Sequence, residues 1–427
     1  MKLIFMILYN GVVYPLAVVL ALLASPFNDK LRRSLVGRFK APKQLKQYFK
    51  ENALSDNIYW FHASSLGEFF QVKTLMERLK EEQEDITCIV SFSSPSGFDN
   101  AKSDAMDLKF YLPFDFPWTI LGVLNRLRPK KIMFASYDLW PNLVWIARVK
   151  DVHINLFSVR MAEGSSKTMP FFRSLFRHVY SSLHSLYTIS EKDMKGVCRL
   201  LGNTSGPILR VMGNPRYDLV MRDAIDLRDN DVEDMLERDL RIIVGSAHDE
   251  EADQLVPALV NLMNVNPDLK VLYALHEPSE SAINDIKKKF HDHGKVGRVF
   301  RKRSDLVLPT DRLVFVGVVG VLSRLYWQCR IAYVGGGHST GVHNVMEPAV
   351  ARLPVLFGPR YHNSHEAEEL IKGSGGFCVN NKDEFLTVAN KLFSDETYFK
   401  ISSLSASDVI YRNVGSTTKM IGHILSD

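Results

Sequence analysis

Cysteine is scarce in this chain and unpaired in pattern. Cys88, Cys198, Cys329 and Cys378 lie far apart and form no Cys-x-x-Cys motif. That spacing excludes a zinc ribbon and a redox dithiol, and the four read as reduced, mostly buried thiols of a reducing compartment. A His-Glu-x-x-His pair is also missing: His248, His276, His338 and His343 lack that spacing, so no metal and no cofactor are expected. There is no Gly-x-x-x-x-Gly-Lys-Ser/Thr loop for ATP. No long polar, aromatic-poor stretch reads as disordered. Excess charge is small too. A net +5 over 427 residues calls for no nucleic-acid partner.

What is present suits two domains of ordinary size, with 46% hydrophobic and 24% charged residues. Residues Leu3 to Ala24 are almost wholly apolar, broken mainly by Asn10 and Gly11, and as a helix reach about 33 Å, enough for a hydrocarbon core. A cleaved signal peptide fits less well, because Lys2 alone forms the basic region and Leu22 stands where a small residue belongs. The next segment carries Lys30, Arg32, Arg33, Arg38, Lys40, Lys43, Lys46 and Lys50 against Asp29 alone. Basic charge beside an apolar helix holds that flank on the cytoplasmic side and attracts anionic lipids. Residues 1–25 are therefore expected to be a membrane-anchor helix, with the rest of the chain on the cytoplasmic face of the inner membrane. Tyr9, Asn10, Gly11, Tyr14 and Pro15 dilute the segment, so spanning the bilayer and lying in its interface both stay open.

Beyond residue 57, short apolar runs alternate with helical patterns. Asn57–His62, Thr87–Phe92, Lys131–Ala135 and Val152–Leu156 read as strands, and Gly67–Lys80 as a helix with Phe70, Val72, Leu75, Met76 and Leu79 inward. The pattern restarts after Gly213-Asn-Pro-Arg216 and the charged stretch 223–241, with strands at Arg241–Val244, Lys270–Ala274, Leu313–Val316, Ile331–Val334 and Pro354–Phe357. This α/β alternation predicts two Rossmann-like domains facing across a cleft, residues 26–215 and 216–427, with ligands at the carboxyl ends of strands.

Three motifs follow such strands. In His62-Ala-Ser-Ser-Leu-Gly-Glu68, Gly67 permits a tight turn and Glu68 opens a helix. Glu68 either serves as a general base or merely favours a helix N-terminus, and spacing alone leaves both readings standing. In Ser136-Tyr-Asp-Leu-Trp-Pro-Asn142, Asp138 and Asn142 read first as a capping cluster, with Pro141 in the first helical turn. In Gly335-Gly-Gly-His-Ser-Thr-Gly-Val-His-Asn-Val-Met-Glu347, glycines with exposed backbone N–H groups offer a phosphate site, against a rival reading of close packing alone. Glu347 there is placed to hold ribose hydroxyls. Ser246, within Gly245-Ser-Ala-His-Asp-Glu-Glu251, reads as a helix cap. His276-Glu-Pro278 follows another strand.

Taken together these segments, with Ser93-Ser-Pro-Ser-Gly97, Pro113-Phe-Asp-Phe-Pro-Trp118, Gly213-Asn-Pro-Arg-Tyr-Asp218 and Phe357-Gly-Pro-Arg-Tyr-His-Asn363, resemble the 3-deoxy-D-manno-octulosonic acid (Kdo) transferases of lipopolysaccharide synthesis. The resemblance covers nearly the whole chain, and its first and last motifs are the specific ones. It implies a GT-B fold, CMP-Kdo as donor and a lipid A precursor as acceptor. The family's base falls on Glu68, with Asp138 as a second acidic group and Ser65 and Gly67 on the acceptor side. Donor contacts fall on Asn344 and Glu347, Gly320 beside the cytidine, Ser246, His276, Gly336, Gly337 and the cation Arg216. Ser136 stands where the family has an acid, and Gly341-Val-His-Asn344 replaces its Gly-Gly-His-Asn. The implied reaction is an inverting, metal-independent transfer. The alternatives are a GT-B transferase of another nucleotide sugar, an inactive lipid-binding module, and a soluble nucleotide-sugar epimerase, against which the anchor speaks.

Overall fold

In the computed structural model, residues 2–52, 57–136, 138–161, 167, 170–202, 206–228 and 235–426 are described. Tyr137 and part of the charged stretch 223–241 lie outside them. The chain divides into two compact units, residues 1–219 with 415–427, and residues 220–414.

The first unit is built on seven strands: β1 (Ile58–Ala63), β2 (Thr87–Phe92), β3 (Leu108–Tyr111), β4 (Lys131–Ala135), β5 (His153–Val159), β6 (Ser185–Thr188) and β7 (Ile208–Val211). They pair in the order β3-β2-β1-β4-β5-β6-β7, with every pairing parallel. The inner strands are buried along their whole length, which is why they read as unbroken apolar runs rather than alternating ones. Helices cover both faces, and serine starts several of them: Ser65, Ser94 and Ser190 each accept a first-turn N–H. In the helix Leu66–Glu82 the inward aromatic is Phe69, 1% exposed, and not the expected Phe70, 39% exposed.

The second unit repeats the architecture with β8 (Arg241–Ala247), β9 (Lys270–Leu275), β10 (Arg298–Phe300), β11 (Leu313–Val316), β12 (Ile331–Val334), β13 (Val355–Phe357) and β14 (Gly376–Cys378). Their order is β10-β11-β9-β8-β12-β13-β14, again parallel throughout.

The division differs from the expected boundary at 215/216 in two respects. The C-terminal helix Ser416–Ser426 returns to the first unit, where Met420, Ile421 and Ile424 join the core beside Met76 and Leu79. Asp218 fixes its start by accepting the N–H of Gly415 and, at 2.7 Å, that of Thr417. Lys131 Nζ holds its end through the carbonyl of Ile424. The first unit also runs on to Leu219, so Arg216, expected in the second domain, belongs to the first. Cys88 and Cys329 are buried and Cys378 partly so, whereas Cys198 is exposed.

Candidate active site

In a doubly wound sheet the strand order reverses at one point, and the loops leaving that point part to form a site. In the first unit the reversal falls between β1 and β4, and it gathers two of the motifs. Leaving β1, Ser65 caps the helix Leu66–Glu82 and accepts the Glu68 N–H at 3.4 Å. Glu68 turns back so that Oε2 accepts both the N–H and the hydroxyl of Ser64, each at 2.5 Å. Glu68 thus braces the chain entering the helix that Ser65 caps; it is only 7% exposed, and burial raises its pKa. The Ser64 hydrogen bonds and His62 pull the other way, and the Asp138 charge adds to the rise. A carboxylate poised toward neutrality is what general-base work needs. Gly67 is exposed, and a Cβ there would meet only Ser65 Oγ at 3.9 Å, so the turn is open to a ligand.

Asp138, leaving β4, is not a helix cap. Its Oδ2 lies 3.0 Å from His62 Nε2 and accepts the Ser93 hydroxyl at 2.9 Å. Burial would raise this carboxyl, but the His62 and Ser93 hydrogen bonds and the His62 charge hold it down at about 2. The far side of the ring, Nδ1, is 2.8 Å from Ser91 Oγ, which also receives the Trp60 indole N–H at 2.8 Å. If the Ser91 hydroxyl proton goes to Nδ1, His62 carries its own proton on Nε2 and donates it to Asp138.

The capping of the next helix, Pro141–Val149, falls to Asp115, which the sequence reading passed over. Its Oδ2 and Oδ1 accept the N–H groups of Asn142 at 2.9 Å and Leu143 at 3.0 Å. Two cations were also missed or misread. Arg38, counted in the basic flank, is buried, with its guanidinium 4.5 Å above the Trp140 ring. Burial lowers the Lys167 ammonium to about 8, while the Asp138 charge opposes that shift. Ser136, at the end of β4, is buried with φ of 65°, a left-handed conformation rare away from glycine. Arg216 opens the helix Arg216–Arg228, its N–H bonded to Asn214 Oδ1 at 3.1 Å.

In the second unit the reversal falls between β8 and β12, where the glycine-rich motif sits. Buried Glu251 is its hub. Oε2 accepts the N–H of Gly336 and of His248, both at 3.1 Å, while Oε1 accepts the Tyr333 hydroxyl at 3.1 Å and the His338 N–H at 3.4 Å. The N–H groups expected to cradle phosphate at Gly336 and His338 are thus already engaged. A Cβ on Gly337 would fall 2.4 Å from the Gly358 backbone and one on Gly335 2.2 Å from the Ser246 carbonyl. Close packing accounts for these glycines. Gly336 has φ of 90° as well. The helix that follows β8 is capped at His248 rather than at Ser246, which instead takes φ of 55° at the strand end. Asn344 Nδ2 holds Glu347 Oε1 at 2.9 Å, and Gly320 is exposed with φ of 78°.

Three histidines that linear spacing kept apart meet here. His248, His276 and His343 bring ring nitrogens within 4.8 Å of one another. The Nε2 atoms of His248 and His343 are 2.7 Å apart. Two ligands of one tetrahedral ion at ordinary zinc distances would be roughly 3.3 Å apart, whereas the 2.7 Å separation suits an N–H···N hydrogen bond. Burial, then the neighbouring His276 and His248, lower His343 to about 4, and burial followed by His248 lowers His276.

Two such units in one chain are the architecture of GT-B glycosyltransferases. Solved structures of similar fold include a UDP-GlcNAc 2-epimerase from Neisseria meningitidis, 12% identical, covering 87% of this chain and all of that one at a TM-score of 0.61. Another is MnaA of S. aureus with UDP, 15% identical, covering 86% and 96% at 0.57. Residues 34–219 match the family model of the 3-deoxy-D-manno-octulosonic-acid transferases. A relative of that name in Aquifex aeolicus is 25% identical over 84% of this chain and 94% of its own length, and one in Haemophilus influenzae is 24% identical over 85% of each. The chain is a glycosyltransferase whose residues 34–219 carry the Kdo transferase domain, and it is similar to Kdo transferases over most of its length.

Proposed function

We propose that the protein transfers Kdo from CMP-Kdo to a hydroxyl of a lipid A precursor, with inversion, on the cytoplasmic face of the inner membrane. The observation that carries this reading is Glu68, a buried carboxylate of raised pKa at the switch point of the first sheet. Its carboxylate takes the proton of the acceptor hydroxyl as that oxygen bonds to the anomeric carbon of Kdo. The bond from that carbon to the phosphate oxygen breaks in the same step, and CMP leaves with the electron pair. A single displacement inverts the anomeric centre. His62, locked between Asp138 and Ser91, positions the loop that carries Glu68, and the exposed turn at Ser65 and Gly67 receives the acceptor.

The donor falls to the carboxyl edge of the second sheet. Ser246, His276, Asn344 and Glu347 offer polar groups there, and Gly320 leaves room for the base. Gly336 and Gly337 shape the loop through their packing, and Arg216 supplies a cation for the phosphate. CMP carries one phosphate, which such groups neutralise without a metal ion. Anionic lipids are the proposed partner of the basic flank that follows the apolar helix.

Membranes containing the protein, incubated with CMP-Kdo and tetra-acylated lipid A precursor, test the reading by mass spectrometry. A gain of one or more Kdo units is expected. No gain, with UDP rather than CMP competing for the donor site, would assign the protein to another nucleotide sugar.

A further inference from the structure

We infer that the N-terminal helix does not cross the bilayer but lies along one leaflet as a fixed part of the first unit, with its outward face among the acyl chains. The inference rests on the membrane attachment proposed above and adds its geometry.

Length and composition alone allow a span: Ile4–Phe27 is an apolar helical stretch of 24 residues. A spanning helix, however, needs about 20 residues clear of the globular domain. Here one stripe of the helix packs on the first unit along nearly all its length. Met6 and Tyr9 lie against the main core, and Tyr14, Val18 and Ala21 against the cluster of Leu35 and Phe114. From Met6 to Ala21 this is about 22 Å of helix axis, which leaves no membrane-thick segment free.

The polar residues that dilute the segment face the same way. The Tyr9 hydroxyl donates to Asp115 Oδ2 at 3.0 Å, and the Asp115 N–H donates to the Tyr14 hydroxyl at 2.7 Å. The side-chain amides of Asn10 and Asn142 exchange hydrogen bonds at 3.1 and 2.7 Å. A π-helical turn over Tyr9–Val13 widens the helix where these groups dock. In a spanning pose they would sit near the bilayer midplane, where Asp115 and Asn142 of a water-soluble sheet domain cannot follow.

The opposite face is apolar and exposed, including Ile4, Ile7, Leu16, Leu20 and Leu23. Trp118, 70% exposed, flanks the docked stripe: it stacks on Phe116 at 4.9 Å, and Phe116 meets Tyr14 edge-on at 5.1 Å. An exposed tryptophan beside an apolar face suits the headgroup level. Charge complements it. Lys40, Lys43, Lys46 and Lys50 are exposed on the helix Asp29–Glu51, together with Phe39, and match an anionic leaflet surface.

The test is sidedness in the full-length protein. In a Lys2→Cys variant, the new thiol and the exposed native Cys198 are labelled with a membrane-impermeant maleimide in right-side-out and inverted vesicles, and read by peptide mass. An in-plane helix gives both labels from the same face. A spanning helix gives them from opposite faces and overturns the inference. Brominated lipids supply a second reading on the unlabelled protein: they should quench a part of the tryptophan emission that is lost in Trp118→Phe. Quenching identical in the two proteins would remove Trp118 from the lipid face. Protein recovered wholly in the soluble fraction would instead refute the membrane attachment itself.

Discussion

His62 Nε2 stands 3.0 Å from Asp138 Oδ2, which ties the end of β1 to the end of β4 at the one place where the first sheet reverses its strand order. The pair fixes the loop that carries Glu68, and its negative member raises the Glu68 pKa.

Replacing Asp138 by Asn removes that charge. The Glu68 pKa then falls, so the acidic limb of the pH–rate profile moves to lower pH. The maximal rate should drop at the same time, because His62 loses the acceptor that orients its ring. Asp138 itself, held at about 2, stays ionised through the working range and contributes no limb of its own. An unshifted acidic limb in the variant would remove either Glu68 or its coupling to Asp138 from the account.

Glu251 predicts a different failure. Glu251→Ala leaves the N–H groups of Gly336 and His248 and the Tyr333 hydroxyl without their acceptor. The expected cost is on the order of 3 kcal/mol of stability, with loss of CMP affinity. Glu251→Gln keeps one carbonyl acceptor and should lose less of both. Calorimetry and CMP titration on the two variants check the order.

Asp115 gives a pH dependence. Burial pushes its carboxyl from 3.8 up to about 7, against the Asn142 and Leu143 N–H groups and the Tyr9 hydroxyl. Folding therefore favours the protonated form. The stability contributed by this group is full below about pH 4 and is lost as pH rises to about 7. In Asp115→Asn that slope should disappear. Thermal unfolding of both proteins between pH 4 and 8 measures it, and equal slopes would contradict the assignment.

Much of this was legible in the sequence, and the remainder was hidden for physical reasons. The central strands announced themselves as fully buried apolar runs. The short strands β3, β6, β7, β10 and β14 did not, and β7, largely exposed at the sheet edge, carries no such pattern. Glu68 was visible because strand, turn and helix start are contiguous. Its helix-start and base roles could not be separated, since one side chain at one position fits both. The glycine-rich loop read as a phosphate cradle because the chain does not reveal that Glu251, 85 residues earlier, takes up the Gly336 N–H. Arg38 looked like one more charge in a basic run, and only packing shows it over Trp140. The meeting of His248, His276 and His343 depends on three separate strand ends, so no local spacing could show it.

The central claim is that Glu68 works as the base and is not simply a brace at the helix start. Glutamine at this position still accepts the Ser64 N–H and still suits the third residue of a capped helix. Glu68→Gln should therefore melt close to the wild-type temperature and bind CMP normally, while Kdo transfer to the lipid acceptor falls at least ~100-fold. A variant that keeps its melting temperature and transfers Kdo at the wild-type rate would leave Glu68 as a brace alone and contradict the mechanism.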